Sequence, residues 1–247
     1  MSDIVSLIVS PVKSGYGSSS ELSCSDRYKG ACRERRRRAV GKTQFGRNAV
    51  HMIVGIILSA GESKRMGTLK QLLPWGNTIV LQRVLDHAAA SRLERIQLIL
   101  GYSSDEIAGR ITLPSKTRIF VNPAFKEGMH TSVQCGIQNA PPDAEAFMLL
   151  LGDQPLIETR VIDRLIDSYR EGGKGIVIPV CNGRRGHPVI FAARFREELL
   201  AIGHQGAREV LHRHTEAIFE VPIDSPHILT DMDTPQDYQK ARRLAGE

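Results

Sequence analysis

From residue 52 onward the apolar positions fall into two kinds of run that alternate along the chain. Short runs of aliphatic and β-branched residues occur at 53–58 (IVGIIL), 96–100, 118–121, 146–151 (AFMLLL), 175–180, 189–192 and 218–221. Runs of this length without polar alternation suit strands buried on both faces. Between them, apolar residues recur at helical spacing. Val80, Val84, Leu85 and Ala88 share one face of a helix over 79–90, for which Asn77 or Thr78 is a cap. Further helices are predicted from the 128–132 segment through 139, and over 158–171, 194–201 and 208–212, with Ser103 or Ser104 capping a short one. A closing helix follows Thr234-Pro235, where the proline sits well in a first turn. This alternation, with few aromatics, predicts an α/β domain over 52–247 and argues against an all-β sandwich.

Residues 1–51 interrupt the pattern. They are rich in Ser, Gly and Arg, with a GSSS run and four consecutive arginines at 35–38, and too poor in apolar residues to offset the entropy of ordering them. A disordered basic tail is the expectation. Met52 directly precedes the first strand, which makes it a candidate start and 1–51 upstream sequence. The tail also changes how the charge is read. It holds ten Lys or Arg against four Asp or Glu, so the formal net charge of +6 belongs to it entirely and the remainder is balanced. The body therefore carries no electrostatic signature of a nucleic-acid binder. Cys24, Cys32, Cys135 and Cys181 show no C-x-x-C spacing, which reads as free thiols in a reducing compartment. No apolar run is long enough to span a bilayer, so no membrane partner and a cytoplasmic location are expected.

Candidate chemistry begins where the first strand breaks. After Leu58 the side chains become small or basic: Ser59, Ala60, Gly61, Ser63, Lys64, Arg65 and Gly67, then Lys70. Backbone N–H groups and cationic side chains can converge there on an anion, at the strand end where open α/β sheets bind ligands. The loop matches neither a dinucleotide fingerprint nor a Walker loop, because Gly61 and Gly67 are separated by five residues and Thr68 follows. A plain glycine-containing turn is the alternative.

The run AFMLLL stops at Gly152-Asp153-Gln154-Pro155, which fixes a carboxylate at the tip of a buried strand. Such an acid suits Mg²⁺, a hard cation that takes one or two carboxylates plus substrate phosphates. A helix cap is the competing role, but a helix starting near 158 lies too far on. Asp231 and Asp233 precede the closing helix and read either as an N-terminal cap or as a second metal carboxylate. Gly128, Met129, Thr131 and Ser132 offer donors to a base or ribose, or simply a capped helix start. Arg184, Arg185 and His187 lie in a hairpin-like loop that reads as a second anion site or a solvated turn. His212 and His214, two apart, do not make a zinc set.

Taken together, LSAGESKRMGTLKQLLP at 58–74, GMHTS at 128–132, GDQP at 152–155, GHP at 186–188, GHQGAR at 203–208 and DMDTPQDY at 231–238 resemble the nucleotidyltransferases of the molybdenum-cofactor branch, above all the CTP:molybdopterin cytidylyltransferases. The resemblance covers the body and none of the tail. It implies a three-layer, Rossmann-like domain with a mostly parallel central sheet, transferring CMP from CTP to the phosphate of molybdopterin and releasing pyrophosphate. By resemblance, Leu58, Ser59, Ala60, Gly61, Ser63, Arg65, Lys70, Gly128, Ser132 and Asp153 bind nucleotide, with Arg65, Lys70 and Asp153 acting in catalysis. Asp153 and Asp233 would hold Mg²⁺. His187, Pro188, Gly206, Ala207 and Arg208 would face the pterin, and a molybdoenzyme or its maturation chaperone would be the protein partner. Ser59 stands where the family usually carries Ala, and His204 where an acid is common. An NAD(P)H-dependent reductase on the same scaffold, a non-catalytic molybdopterin carrier and, within the transferase class, a GTP-using or sugar-phosphate enzyme are the alternatives.

Overall fold

The computed structural model describes residues 52–246, so the expectation of a disordered tail over 1–51 lies outside the described residues. In chain order the strands and helices are β1 (Ile53–Ser59), β2 (Pro74–Trp75), β3 (Thr78–Ile79), α1 (Val80–Ala90), β4 (Arg95–Leu100), α2 (Ser104–Ala108), β5 (Thr117–Val121), α3 (Met129–Asn139) and β6 (Ala146–Leu151). They continue as α4 (Thr159–Gly172), β7 (Ile176–Cys181), β8 (Arg184–Arg185), β9 (Val189–Ala192), α5 (Arg196–Leu200), α6 (Arg208–Arg213), β10 (Ile218–Pro222) and α7 (Pro235–Leu244).

The main sheet runs β10-β7-β9-β6-β1-β4-β5, with β8 paired to β7. β1 lies parallel between β4 and β6, β5 continues parallel to β4, and β10 is parallel to β7. The exceptions are β9, antiparallel to both β6 and β7, and β8. The sheet is thus mixed and mostly parallel.

Why the strand runs are unbroken is visible in how their side chains divide. Ile53 and Ile57 of β1, with Met148 and Leu150 of β6, enter one core against α1 and α4, where Leu81, Val84, Leu85, Ile162, Leu165 and Ile166 meet them. Val54 and Ile56, with Phe147 and Leu149, enter the other core against Val133 and Ile137 of α3, Leu199 of α5 and Val210 of α6. Period-2 alternation is present, but both faces are apolar. Helix α3 comes so close to β1 that a Cβ on Gly136 would stand 2.4 Å from Ile56 Cγ2. A third cluster joins Met66, Trp75, Val80, Leu156, Met232 and Tyr238, and Tyr238 Oη donates to Pro74 O at 2.6 Å. It fastens the closing helix and its preceding loop to the chain that follows β1.

Three local expectations are corrected. Neither Asn77 nor Thr78 caps α1: Thr78 and Ile79 pair with Trp75 and Pro74 in a two-stranded ladder, and Val80 N donates to Leu73 O at 2.9 Å. Ser103 precedes α2 in a left-handed conformation without a side-chain cap, and Ser104 is already helical. The 194–201 helix is a 3-10 turn, Ala193–Phe195, followed by α5.

Cys135 and Cys181 are buried and free of disulfides. Among the described residues no helix is long and apolar enough to cross a membrane. Because Phe147 is fully buried between β1, β9 and α3, Phe147→Ala is expected to destabilise the fold by about 3–5 kcal/mol, the usual cost of such a cavity. Urea denaturation measures it, and a loss below ~1 kcal/mol would contradict this packing.

Candidate active site

The sheet brings the tips of β1 and β6 side by side. Their parallel register pairs Leu58 with Leu151, and Gly152 N donates to Leu58 O at 2.9 Å. Gly152 has to be glycine here, since a Cβ would lie 2.6 Å from Ser59 Oγ. Asp153 follows and leaves the strand at the mouth of a cleft of about 340 Å³. From the β1 side the chain passes Ser59, Ala60 and Gly61, makes a 3-10 turn at Lys64–Met66 entered through Ser63 in a left-handed conformation, and makes a second at Lys70–Leu72. A non-glycine residue held at positive φ is strained and persists only where its surroundings fix it.

That second turn delivers Lys70. Its Nζ bonds to Asp153 Oδ2 and lies 3.3 Å from Asp233 Oδ1. Arg65 Nη2 contacts Asp233 Oδ2 at 2.8 Å. Two cations and two carboxylates therefore alternate in one neutral network. Lys70 and Asp153 are its more shielded members, with side chains 17% and 13% exposed, whereas Arg65 is 69% exposed. Burial opposes the charge on Lys70, but Asp153 and Asp233 outweigh it and hold the ammonium above its ordinary pKa. Asp231 is engaged elsewhere, accepting from Gln154 Nε2 at 2.7 Å. The N-cap of α7 is neither aspartate but Thr234, in a capping box with Asp237, which corrects the reading of Asp233 as a cap.

Of the nucleotide candidates, Leu58, Ser59, Ala60, Gly61, Lys70, Gly128, Ser132 and Asp153 all line the cleft. Ser59 Oγ is buried there without a hydrogen-bond partner, an oxygen left for a ligand. The Ser63 hydroxyl is turned into the loop, accepting from Lys70 N and donating to Gln71 Oε1, each at 3.3 Å. Ser132 is oriented by Asn122, a buried residue at the end of β5. The Asn122 amide donates to Thr131 Oγ1 at 2.8 Å and to Ser132 Oγ at 3.0 Å.

The acceptor-side candidates His187, Pro188, Gly206, Ala207 and Arg208 do not line the cleft itself. His187 is tied by its N–H to Ile228 O, and its Nδ1 is buried without a partner. Burial pushes its pKa down, Asp231 and Asp153 act against that, and Arg208 adds to it. Asp153 and Arg208 thus each sit within electrostatic reach of His187. Pro188 packs inward beside Val84, Leu150 and Ile157. Gly206 and Ala207 lead into α6, and the His204 ring stacks edge-on against His130 of α3 at 4.9 Å, linking this loop to the Gly128 segment.

Sequence reasoning misses Gln71, Asn122 and Phe125, and names Met129 only as part of the 128–132 segment. Phe125 and Met129 line the cleft, Met129 with 63% of its surface exposed. The signals were faint: one Gln inside the apolar run LKQLLP, and an Asn immediately before a proline. Among the described residues no group of three or more His, Cys, Asp or Glu is arranged around a metal position.

A small, basic loop after one strand of an α/β sheet and a carboxylate just beyond the tip of its neighbour, joined by a second carboxylate from the loop before α7, frame this cleft, and the protein is a nucleotidyltransferase. The MobA-like NTP transferase domain matches residues 55–218, and the chain belongs to that family. It is 31% identical over 193 residues to the molybdenum cofactor cytidylyltransferase of Escherichia coli K12, covering 78% of this chain and 96% of that one. The crystal structure of Rv0371c from Mycobacterium tuberculosis H37Rv is similar with a TM-score of 0.70 and 29% identity over 78% of this chain and 98% of its own. Its complex with manganese matches with a TM-score of 0.65 at 27% identity, over the same shares.

His187 and His87 are both held below the ordinary histidine pKa of 6.5, chiefly by burial. The unfolded chain takes up these protons near that value and the folded chain only at lower pH, so stability is full above it and declines below it. Denaturation midpoints between about pH 7 and pH 5 are expected to fall less steeply in His187→Gln than in the wild type. Parallel profiles would contradict the assignment.

Proposed function

We propose that this enzyme transfers CMP from CTP to the terminal phosphate of molybdopterin bearing molybdenum, with Mg²⁺, in the cytoplasm. The observation that carries the reading is the bridging of Asp153 and Asp233 by the Lys70 ammonium below the loop that follows β1. Two carboxylates already converge on one cation, and their hard oxygen donors fit a magnesium ion. The likeness to the E. coli cytidylyltransferase supports cytosine and the molybdenum cofactor as substrates, and the manganese complex of Rv0371c supports a divalent cofactor.

In this reading the 59–65 loop, Arg65 and Lys70 hold the triphosphate. Gly128 and Ser132 meet the nucleoside, and His187, Pro188, Gly206, Ala207 and Arg208 face the acceptor. Asp153 and Asp233 would hold Mg²⁺, which when bound supplies neutralising charge to the phosphates. The acceptor phosphate is ionised at neutral pH, so no Ser, Cys or His need surrender a proton to create a nucleophile. Its oxygen bonds to the α-phosphorus as the bond to the β-phosphate oxygen breaks and pyrophosphate leaves. The chain contributes alignment and charge. On nucleotide binding, Lys70 and Arg65 exchange carboxylate partners for phosphates. The product goes to a molybdoenzyme or its maturation chaperone.

The test is pyrophosphate release by the purified protein with Mg²⁺, molybdenum cofactor and each of the four nucleoside triphosphates. CTP is expected to be preferred, and turnover with GTP alone would refute the cytidylyl assignment. Asp153→Ala is expected to abolish turnover with an unchanged circular-dichroism spectrum; near-full activity would remove Asp153 from the site. Lys70→Met is expected to lose at least about tenfold in turnover, the scale of one charge-assisted contact. Without nucleotide, the same variant is expected to bind Mn²⁺ more tightly than the wild type by electron paramagnetic resonance, because the ammonium no longer competes for Asp153 and Asp233. Weaker Mn²⁺ binding would contradict that competition.

A further inference from the structure

Gln71 occupies a position where its neighbours Leu69, Leu72 and Leu73 would lead one to expect another aliphatic side chain. It is 2% exposed, and a buried amide is costly unless it is hydrogen-bonded. Its bonds all go to the last residue of β1 and the loop that follows it. Nε2 donates to Ser59 O at 3.3 Å and to Gly61 O at 3.2 Å, and Oε1 accepts from Ser63 Oγ at 3.3 Å.

The carbonyl between those two is held from another side, since Tyr102 N donates to Ala60 O at 3.1 Å. Three consecutive carbonyls of the loop are therefore tied to the protein. The N–H groups on those three peptide planes, of Ala60, Gly61 and Glu62, donate to no acceptor among the described residues, nor do those of Ser63, Lys64 and Arg65 that follow. A peptide plane whose carbonyl is fixed has its N–H fixed on the opposite edge, and consecutive free N–H groups make an anion-binding concavity. Ser63 keeps its left-handed conformation at the centre of this arrangement, with its hydroxyl clamped between Gln71 and Lys70 N.

We infer that Gln71 is a positioning residue that presets the backbone of the loop to receive a polyphosphate, without touching the phosphates itself. The inference rests on the reading of this loop as the triphosphate site. A preset loop spares the nucleotide the entropy of ordering it, so the benefit falls on affinity for phosphate groups and not on the base.

The experiment compares Gln71→Met, which keeps length and burial but not the hydrogen bonds, with the wild type in direct binding of CTP, CMP and inorganic tripolyphosphate. Expected is about a tenfold loss for CTP and tripolyphosphate, the combined scale of two or three neutral hydrogen bonds, with less than about a twofold loss for CMP. Unchanged CTP affinity would overturn the inference. So would an equal loss for CMP and CTP, which a merely structural role produces. If Gln71→Met does not fold, Ser63→Ala carries the same comparison, because it leaves the buried glutamine in place and removes one of its bonds; about a threefold loss confined to CTP and tripolyphosphate is expected, and no loss or an equal loss for CMP overturns the inference. A wild-type protein that binds neither CTP nor tripolyphosphate would overturn the triphosphate reading and this inference with it, whereas normal wild-type binding with an unaffected variant overturns this inference alone.

Discussion

A single ammonium group shared between two carboxylates organises this molecule's working end. Lys70 reaches Asp153, 83 residues later, and Asp233, 163 residues later, so the contact forms only once the sheet and the closing helix are both in place. Leaving either carboxylate alone in that half-buried position would be costly, and so would leaving the lysine. The network solves this in the ligand-free protein by mutual neutralisation. It also makes each member replaceable: phosphates can take the cations and a divalent ion the acids, with no charge stranded midway.

The scaffold beneath reads as a means of delivering these residues. Strands β1 and β6 are neighbours in space but nearly ninety residues apart in sequence, and their fully apolar faces hold them between two helical layers. The third apolar cluster, from Met66 to Tyr238, then locks the post-β1 turns against the closing helix. Asp233 is carried by the loop that this cluster pins. Packing several residues away from the chemistry thus sets the distance between Asp233 and Lys70.

Much of the fold was legible because burial on both faces writes itself as unbroken apolar runs; β1 and β6 are the clearest. The site's acidic and basic members could also be named, since an Asp at the end of such a run and cations after another have few structural uses. What the sequence could not resolve were relations of direction. Asp231 and Asp233 are two apart and chemically identical, yet one serves Gln154 and the other Lys70. Thr78 has a capping side chain but is claimed by a short ladder, because Trp75 offers it a partner. Gln71 is hidden for a different reason: its amide serves backbone carbonyls ten and twelve positions away and a hydroxyl eight away, a pattern that no periodicity encodes.

Adjacent strands in a sheet stand about 4.8 Å apart, whatever their sequence. With the loop on the tip of β1 and Asp153 two residues beyond the tip of β6, the separation between the loop backbone and the acid follows chiefly from this repeat and not from side-chain length. The sheet acts as a ruler. Segments inserted at the opposite ends of the strands, or beyond the edge strands β5 and β10, leave that measurement untouched. The scaffold can therefore vary its outer loops while the spacing between the β1 loop and Asp153 stays constant.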